Sequence, residues 1–153
     1  MHDCHFQPAD GFFADRIRES FSKMTVMDSL GGTLGKVRPG EVEIYVPYRK
    51  EFTQQHGFLH AGIISTFLDT ACGYAAFSLM PPDAAVLSIE FKVNLLHPGK
   101  GDRFVFVGSV VKSGKNISNV RGEAYAFIGG GREKLIATMD ATMMTVLGRG
   151  LAG

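Results

Sequence analysis

Between His60 and the pair Pro81-Pro82 the chain runs from Ala61 to Met80 with a single charged side chain, Asp69. Ile63, Ile64, Phe67, Leu68, Ala71, Cys72, Ala75 and Leu79 cover most of a helical circumference, and small residues (Ala61, Gly62, Ser65, Gly73, Ala76) fill the rest. A helix that is apolar nearly all round is a buried one. The run is long enough to span a bilayer, but Asp69 near its middle would cost about 2.5–3.5 kcal/mol there. Strand-like segments surround it and no second span follows. The expectation is therefore a protein with no membrane partner, built around one buried helix that Pro81-Pro82 stops.

What precedes the run reads as helix, then hairpin. Phe13, Ile17, Phe21 and Met24 recur every three to four residues, with Arg16, Arg18, Glu19 and Lys23 outside the stripe. That pattern predicts one amphipathic helix from Asp10 to about Leu30, ended by Gly31-Gly32. Thr33–Val37, the turn Pro39-Gly40, and Val42, Ile44 and Val46 predict a β-hairpin, with Pro47 ending its second strand or marking an edge.

Four alternating runs follow the buried helix. Leu87, Ile89, Phe91, Val93 and Leu95 oppose Ser88, Glu90, Lys92 and Asn94. Phe104, Phe106, Gly108 and Val110 oppose Val105, Val107, Ser109 and Val111, and Val120, Gly122, Ala124 and Ala126 oppose Arg121, Glu123, Tyr125 and Phe127. In the last run Leu135, Ala137, Met139, Ala141 and Met143 oppose Ile136, Thr138, Asp140 and Thr142. Turn residues join them at 97–102, 113–116 and 129–131. The class is α+β, an antiparallel sheet wrapped around one helix. A chain of 153 residues holds one such domain, here residues 10–147, with tails at 1–9 and 148–153.

Composition removes several function classes. Sixteen basic residues against fifteen acidic ones, for a net charge of +1, leave no polyanion-coating surface, so no nucleic-acid partner is expected. Two cysteines, Cys4 and Cys72, are too few for a disulfide framework or a four-thiolate zinc site. With no basic-then-apolar leader at residues 1–6, a reducing, cytoplasmic setting is the expectation. Twelve Phe and no Trp predict a core of flat rings that need no hydrogen-bond partner.

Asp69 is the side chain with most to explain, because an unpaired buried carboxylate is costly. It either satisfies a polar cap or subunit interface, or acts as a general base or nucleophile. A second group lies at the helix start. His60-Ala61-Gly62 opens the helix, where first-turn N–H groups lack intrahelical partners and the dipole is positive. Such N–H groups can hold an oxyanion, although tight packing alone would also favour Ala and Gly. Ala61 and Asp69 are separated by about 12 Å along one helix axis at ~1.5 Å per residue. If both act on one carbonyl, they come from two copies of the helix, packed antiparallel across a two-fold axis. Such a site requires a homodimer.

The run Gln54-Gln55-His56-Gly57-Phe58-Leu59-His60-Ala61-Gly62, with Asp69, Ala71 and Gly73 after it, resembles the hot-dog-fold thioesterases of the PaaI-like (4-hydroxybenzoyl-CoA thioesterase) superfamily. Their pattern is Asn-x-x-Gly-x-x-His-Gly-Gly, then Asp seven residues on. The likeness extends over roughly residues 40–146. It implies acyl-CoA hydrolysis, with Asp69 as the catalytic carboxylate and the Ala61 N–H as oxyanion donor. It also implies that His60 fixes the helix-start loop and that Ser88 helps hold the attacking water. Gln54 stands where the family usually has Asn, one methylene shorter. The segment Lys112-Ser113-Gly114-Lys115-Asn116-Ile117 matches the loop that lies along coenzyme A, and the small Gly62, with Ala61, lets the substrate carbonyl come close. A homotetramer of two such dimers is the expected assembly, with the dimer alone as the alternative. No metal or redox cofactor is implied, since coenzyme A belongs to the substrate and leaves as product.

Two other readings compete. A non-catalytic hot-dog module would bind acyl-CoA as a sensor, keeping the acyl pocket without the carboxylate. A hot-dog hydratase or dehydratase would pair a catalytic His with an acid, whereas His60 here belongs to the helix-start motif. Elsewhere, His2, Cys4 and His5 are read as tail residues rather than metal ligands. His97 before Pro98 suits a turn cap, and Met139, Met143 and Met144 suit packing.

Overall fold

The computed structural model describes residues 6–151 and 153; His2, Cys4 and His5 lie outside them. The first helical stretch is two helices, α1 (Phe13–Ser22) and α2 (Thr25–Leu30), not the single helix expected from Asp10 to Leu30. Met24 between them is extended, at φ −81° and ψ 95°. On one straight helix Met27 would sit about 80° round from Ile17, at ~100° per residue. The break lets both be fully buried. The apolar stripe is as read, with Phe13, Phe21 and Met24 packed on the core, and Gly31 closes α2 in the left-handed conformation (φ 69°).

The hairpin forms from β1 (Thr33–Arg38) and β2 (Glu41–Pro47). Val42, Ile44 and Val46 are buried, and the second strand ends at Pro47 as expected. A short 3-10 turn at Lys50–Phe52 precedes the long helix α3 (Ala61–Phe77). The remaining strands are β3 (Ala85–Leu95), β4 (Arg103–Ser113), β5 (Ile117–Ile128) and β6 (Arg132–Val146). All pairings are antiparallel, in the order β1-β2-β4-β5-β6-β3, with α3 across one face. Among the described residues no helix is long and apolar enough to cross a membrane.

Close approach of helix to sheet depends on missing side chains. A Cβ on Gly108 would run into the backbone carbonyl of Ala71, and one on Gly122 would lie 3.0 Å from Cys72 Sγ. Around that contact Phe67 stacks on Phe106 at 5.0 Å, and Phe77 and Phe104 are fully buried. The core is the flat-ring core expected.

The end of α3 corrects the reading of Arg16. Pro81 has no N–H to return to the Phe77 carbonyl, so the helix stops at Phe77 and that carbonyl takes the Met80 N–H instead, at 3.1 Å. Arg16 adds side-chain donors to this turn, reaching Pro81 O at 2.7 Å, Met80 O at 2.9 Å and Phe77 O at 3.5 Å. Its guanidinium lies 4.4 Å over the Phe77 ring and 3.3 Å from Asp10. Arg16 is thus an inner residue of α1, not a member of the solvated face.

Two bulges break the alternations read from the sequence. In β3 the register shifts between Ser88 and Glu90, so that Ser88 pairs with Met143 and Glu90 with Thr142. Paired residues share a face. Ser88 therefore joins Phe91 and Val93 on the helix side, and Leu87 leaves it, contrary to the strict alternation expected. In β6 the shift opposite Ala124 and Tyr125 buries Ile136 together with Ala137. β3 is an edge strand whose Leu87, Ile89, Phe91 and Leu95 remain 44% to 56% exposed.

Candidate active site

The loop before α3 is tied at several points. Gln54 N–H donates to Phe58 O at 2.9 Å, and Gly57, at φ 79°, donates to Gln54 O at 3.0 Å. Leu59 N–H reaches Gly99 O and His60 N–H reaches Phe52 O, each at 2.9 Å. These bonds hold His60 extended as the helix cap. Its Nδ1 accepts the Gly62 N–H at 2.9 Å, so the proton of the neutral ring belongs on Nε2. The Ile64 N–H returns to His60 O. The Ala61 N–H, first of the helix, finds no acceptor among the described residues. His60 thus caps α3 and is tied to the loop before it.

The Gln54 carboxamide folds back on its own loop, its Oε1 accepting the His56 N–H. Among the described residues that leaves the NH2 group of Gln54 as a free donor. Gln54 and Ala61 line one cavity of about 370 Å³ with Phe58, Leu95, His97 and Pro98. His97 Nδ1 lies 3.0 Å from Leu135 O, which fixes the ring against β6 rather than within its own turn.

Asp69 lies two turns further along α3. Ser88 Oγ donates to Asp69 Oδ1 at 2.6 Å and lies 3.4 Å from Met143 Sδ. This pair lines a second cavity, about 320 Å³, with Gly73, Tyr74, Met24 and Leu151 among its walls. Burial pushes the Tyr74 phenol up despite its hydrogen bond with Ser20 at 3.1 Å. Burial, and then the charges of Asp69 and Asp140, push the Cys72 thiol up strongly. The thiol next to the candidate carboxylate is therefore an inert packing group.

Lys112 and Ser113 end β4, Gly114, Lys115 and Asn116 make the turn, and Ile117 opens β5. Asn116 O accepts the Thr145 N–H at 2.8 Å. The rows Ile117–Met144–Leu87 and Ser118–Met143–Ser88 cross β5, β6 and β3. Ser118 and Ser88 are thus about 10 Å apart across two strand spacings, which sets this exposed turn at the Asp69 end of the sheet.

Within one chain the sequence-predicted residues fall into two groups. Asp69, midway along α3, groups with Ser88 and the 112–117 turn, whereas Gln54, His60, Ala61 and Gly62 lie at the helix start. The two cavities share no residue. Between them Ala61, Ser65, Asp69 and Gly73, spaced by four, form the incompletely covered line of the helix. Gly73, one turn from Asp69, was legible from that spacing as a cavity residue. Met24, Leu151 and His97 were not, because only the tertiary fold brings them there. Among the described residues no three His, Cys, Asp or Glu side chains converge as a metal site.

A six-stranded antiparallel sheet wrapped on one helix, with a carboxylate midway along that helix and a bare N–H at its start, defines a hot-dog protein. Residues 56–130 match the thioesterase superfamily. A thioesterase family protein from Silicibacter pomeroyi is 53% identical in its crystal structure, with a TM-score of 0.87 over 89% of this chain and 99% of that one. The chain belongs to the thioesterase superfamily. The Escherichia coli PaaI protein of the phenylacetic acid degradation operon shares the fold, with a TM-score of 0.79 at 18% identity, over 89% of this chain and 94% of that one. A protein of Halobacterium salinarum with the provisional name of esterase is 32% identical over 60% of this chain; the match spans 64% of that relative's length.

Proposed function

We propose that this protein hydrolyses acyl-CoA thioesters, with Asp69 as the catalytic carboxylate. Water adds to the thioester carbonyl carbon while Asp69 takes its proton. The tetrahedral oxyanion accepts the Ala61 N–H at the positive end of α3. As the intermediate collapses the C–S bond breaks, the acid forms, and the thiolate of coenzyme A leaves and takes up the proton. Direct attack by Asp69, through an anhydride that water then cleaves, is the alternative route. The free NH2 of Gln54 orients the carbonyl or water, Ser88 holds Asp69, and Lys112 and Lys115 suit the phosphates of the coenzyme.

The observation that carries this reading is the separation of the Asp69–Ser88 cavity from the Gln54–Ala61 cavity at opposite ends of one helix line. Two copies of α3, antiparallel along Ala61, Ser65, Asp69 and Gly73, bring the Asp69 of one protomer to the helix start of its partner. The apolar edge strand β3 is available for the same contact. We therefore read a homodimer as the active unit, a homotetramer as its pairing, and the cytoplasm as its setting.

The test is incubation with a panel of acyl-CoAs and a chromogenic thiol reagent. Release of free thiol is the expected result. Acyl-CoA binding without thiol release would replace the reading with a sensor, and hydration of an enoyl-CoA without release would replace it with a hydratase. Cys72, buried with its thiol pushed up, adds no background.

A further inference from the structure

Part of the wall of the Asp69 cavity comes from outside the sheet and the long helix. Ser20 contributes from α1 and Met24 from the break between α1 and α2, and Leu151 and Gly153 contribute from beyond the end of β6. Past Val146 the chain turns through Gly148 and Gly150, both left-handed at φ 67° and 69°, a backbone state that L side chains rarely adopt. This path lays Gly153 against the ring of Phe77, where a Cβ would collide with it. Among the described residues no backbone hydrogen bond ties 147–153 to the rest of the fold. Leu151 is 49% exposed while lining the cavity, so this wall is closed by apolar contact alone.

We infer that residues 148–151 form a strap over the acyl end of the Asp69 cavity, and that Leu151, with Met24 on the same wall, sets the acyl length the protein accepts. The inference rests on the acyl-CoA reading above. Asp69 and Ser88 are the polar pole of the cavity, and Met24, Phe77 and Leu151 supply an apolar remainder suited to a hydrocarbon chain. In such a pocket one methylene changes discrimination by about 10-fold to 200-fold. Leu151→Ala removes three carbons of wall and should admit longer chains; Leu151→Trp should exclude them.

The experiment measures kcat/KM for straight-chain acyl-CoAs from acetyl to dodecanoyl, in wild type, Leu151→Ala, Leu151→Trp and Met24→Ala. The optimum should move to longer chains in both Ala variants and to shorter ones in Leu151→Trp. Ratios between neighbouring lengths should change by about tenfold or more. If Leu151→Trp fails to fold, the two Ala variants carry the test. A wild type that hydrolyses the panel, with both Leu151 variants keeping its length profile, overturns the strap and leaves the thioesterase reading intact. A wild type that hydrolyses none of the panel overturns that reading instead. S-alkyl-CoA thioethers of the same lengths then test the strap by binding: a length preference altered by Leu151→Ala supports it, and its absence overturns it.

Discussion

Ser88 Oγ donates a 2.6 Å hydrogen bond to Asp69 Oδ1, and the β-bulge that follows Ser88 in β3 is what turns this hydroxyl toward the helix. The bond occupies one carboxylate oxygen and leaves the other for water. Replacing Asp69 with Asn should keep the fold, since losing a partly buried charge relieves desolvation. Turnover should fall by about 10²-fold or more. Steady-state kinetics beside a thermal melt checks both, and near-normal hydrolysis by a folded Asp69→Asn protein contradicts the assignment.

Ser88→Ala removes a hydrogen bond to a charged group, an interaction of about 1.5–3 kcal/mol. If that bond positions Asp69, kcat should fall by at least about tenfold with KM little changed. Ser88→Thr, which keeps the hydroxyl, should recover part of the loss. Equal rates for all three proteins would make Ser88 a packing residue.

Gln54→Ala should lower kcat more than it raises KM, because the free NH2 of Gln54 is proposed to act on the reacting centre. Gln54→Asn should retain more activity than Gln54→Ala despite the shorter reach. The His56 N–H loses its acceptor in Gln54→Ala, whereas the Gly57 N–H keeps the Gln54 backbone carbonyl, so hydrogen exchange at Gly57 separates loop loosening from a catalytic loss.

How much of this was legible in the sequence follows from where the information lies. Asp69, His60, Ala61 and Gly62 sit on one helix, and helical rise alone separates the two chemical groups. The inner faces of β4 and β5 follow from unbroken alternation. Ser88 reaches Asp69 through a bulge, which inserts one residue without marking the sequence. The break at Met24 is equally silent, since the apolar stripe runs through it. Arg16 looks like any surface cation until the prolines after α3 leave carbonyls for it to cap.

That capping predicts a stability effect far from the chemistry. Arg16→Ala should destabilise the protein by about 1.5–3 kcal/mol, the range for charge-assisted hydrogen bonds, measured by urea unfolding. Arg16→Lys should recover only part, because a single ammonium cannot span three carbonyls as the planar fork does.

Gly108→Ala places a methyl against the Ala71 carbonyl, a backbone group that cannot rotate away. Overpacking of this kind costs about 1–3 kcal/mol. The denaturation midpoint should fall accordingly, whereas Gly11→Ala, with open space around its Cα, should leave stability near wild type.

The central claim, that one site is assembled from two protomers, is tested most directly by complementation. Asp69→Asn and a bulky replacement at Ala61 are each inactive on this account, and Gln54→Ala replaces the second variant if it misfolds. In a mixed dimer one site combines an intact Asp69 with an intact helix start, and the other carries both defects. Random mixing by reversible unfolding makes half the dimers mixed, so the preparation should regain up to about a quarter of wild-type activity. Two folded, mixed and individually inactive variants that regain none would contradict the shared site and the antiparallel pairing of the long helices.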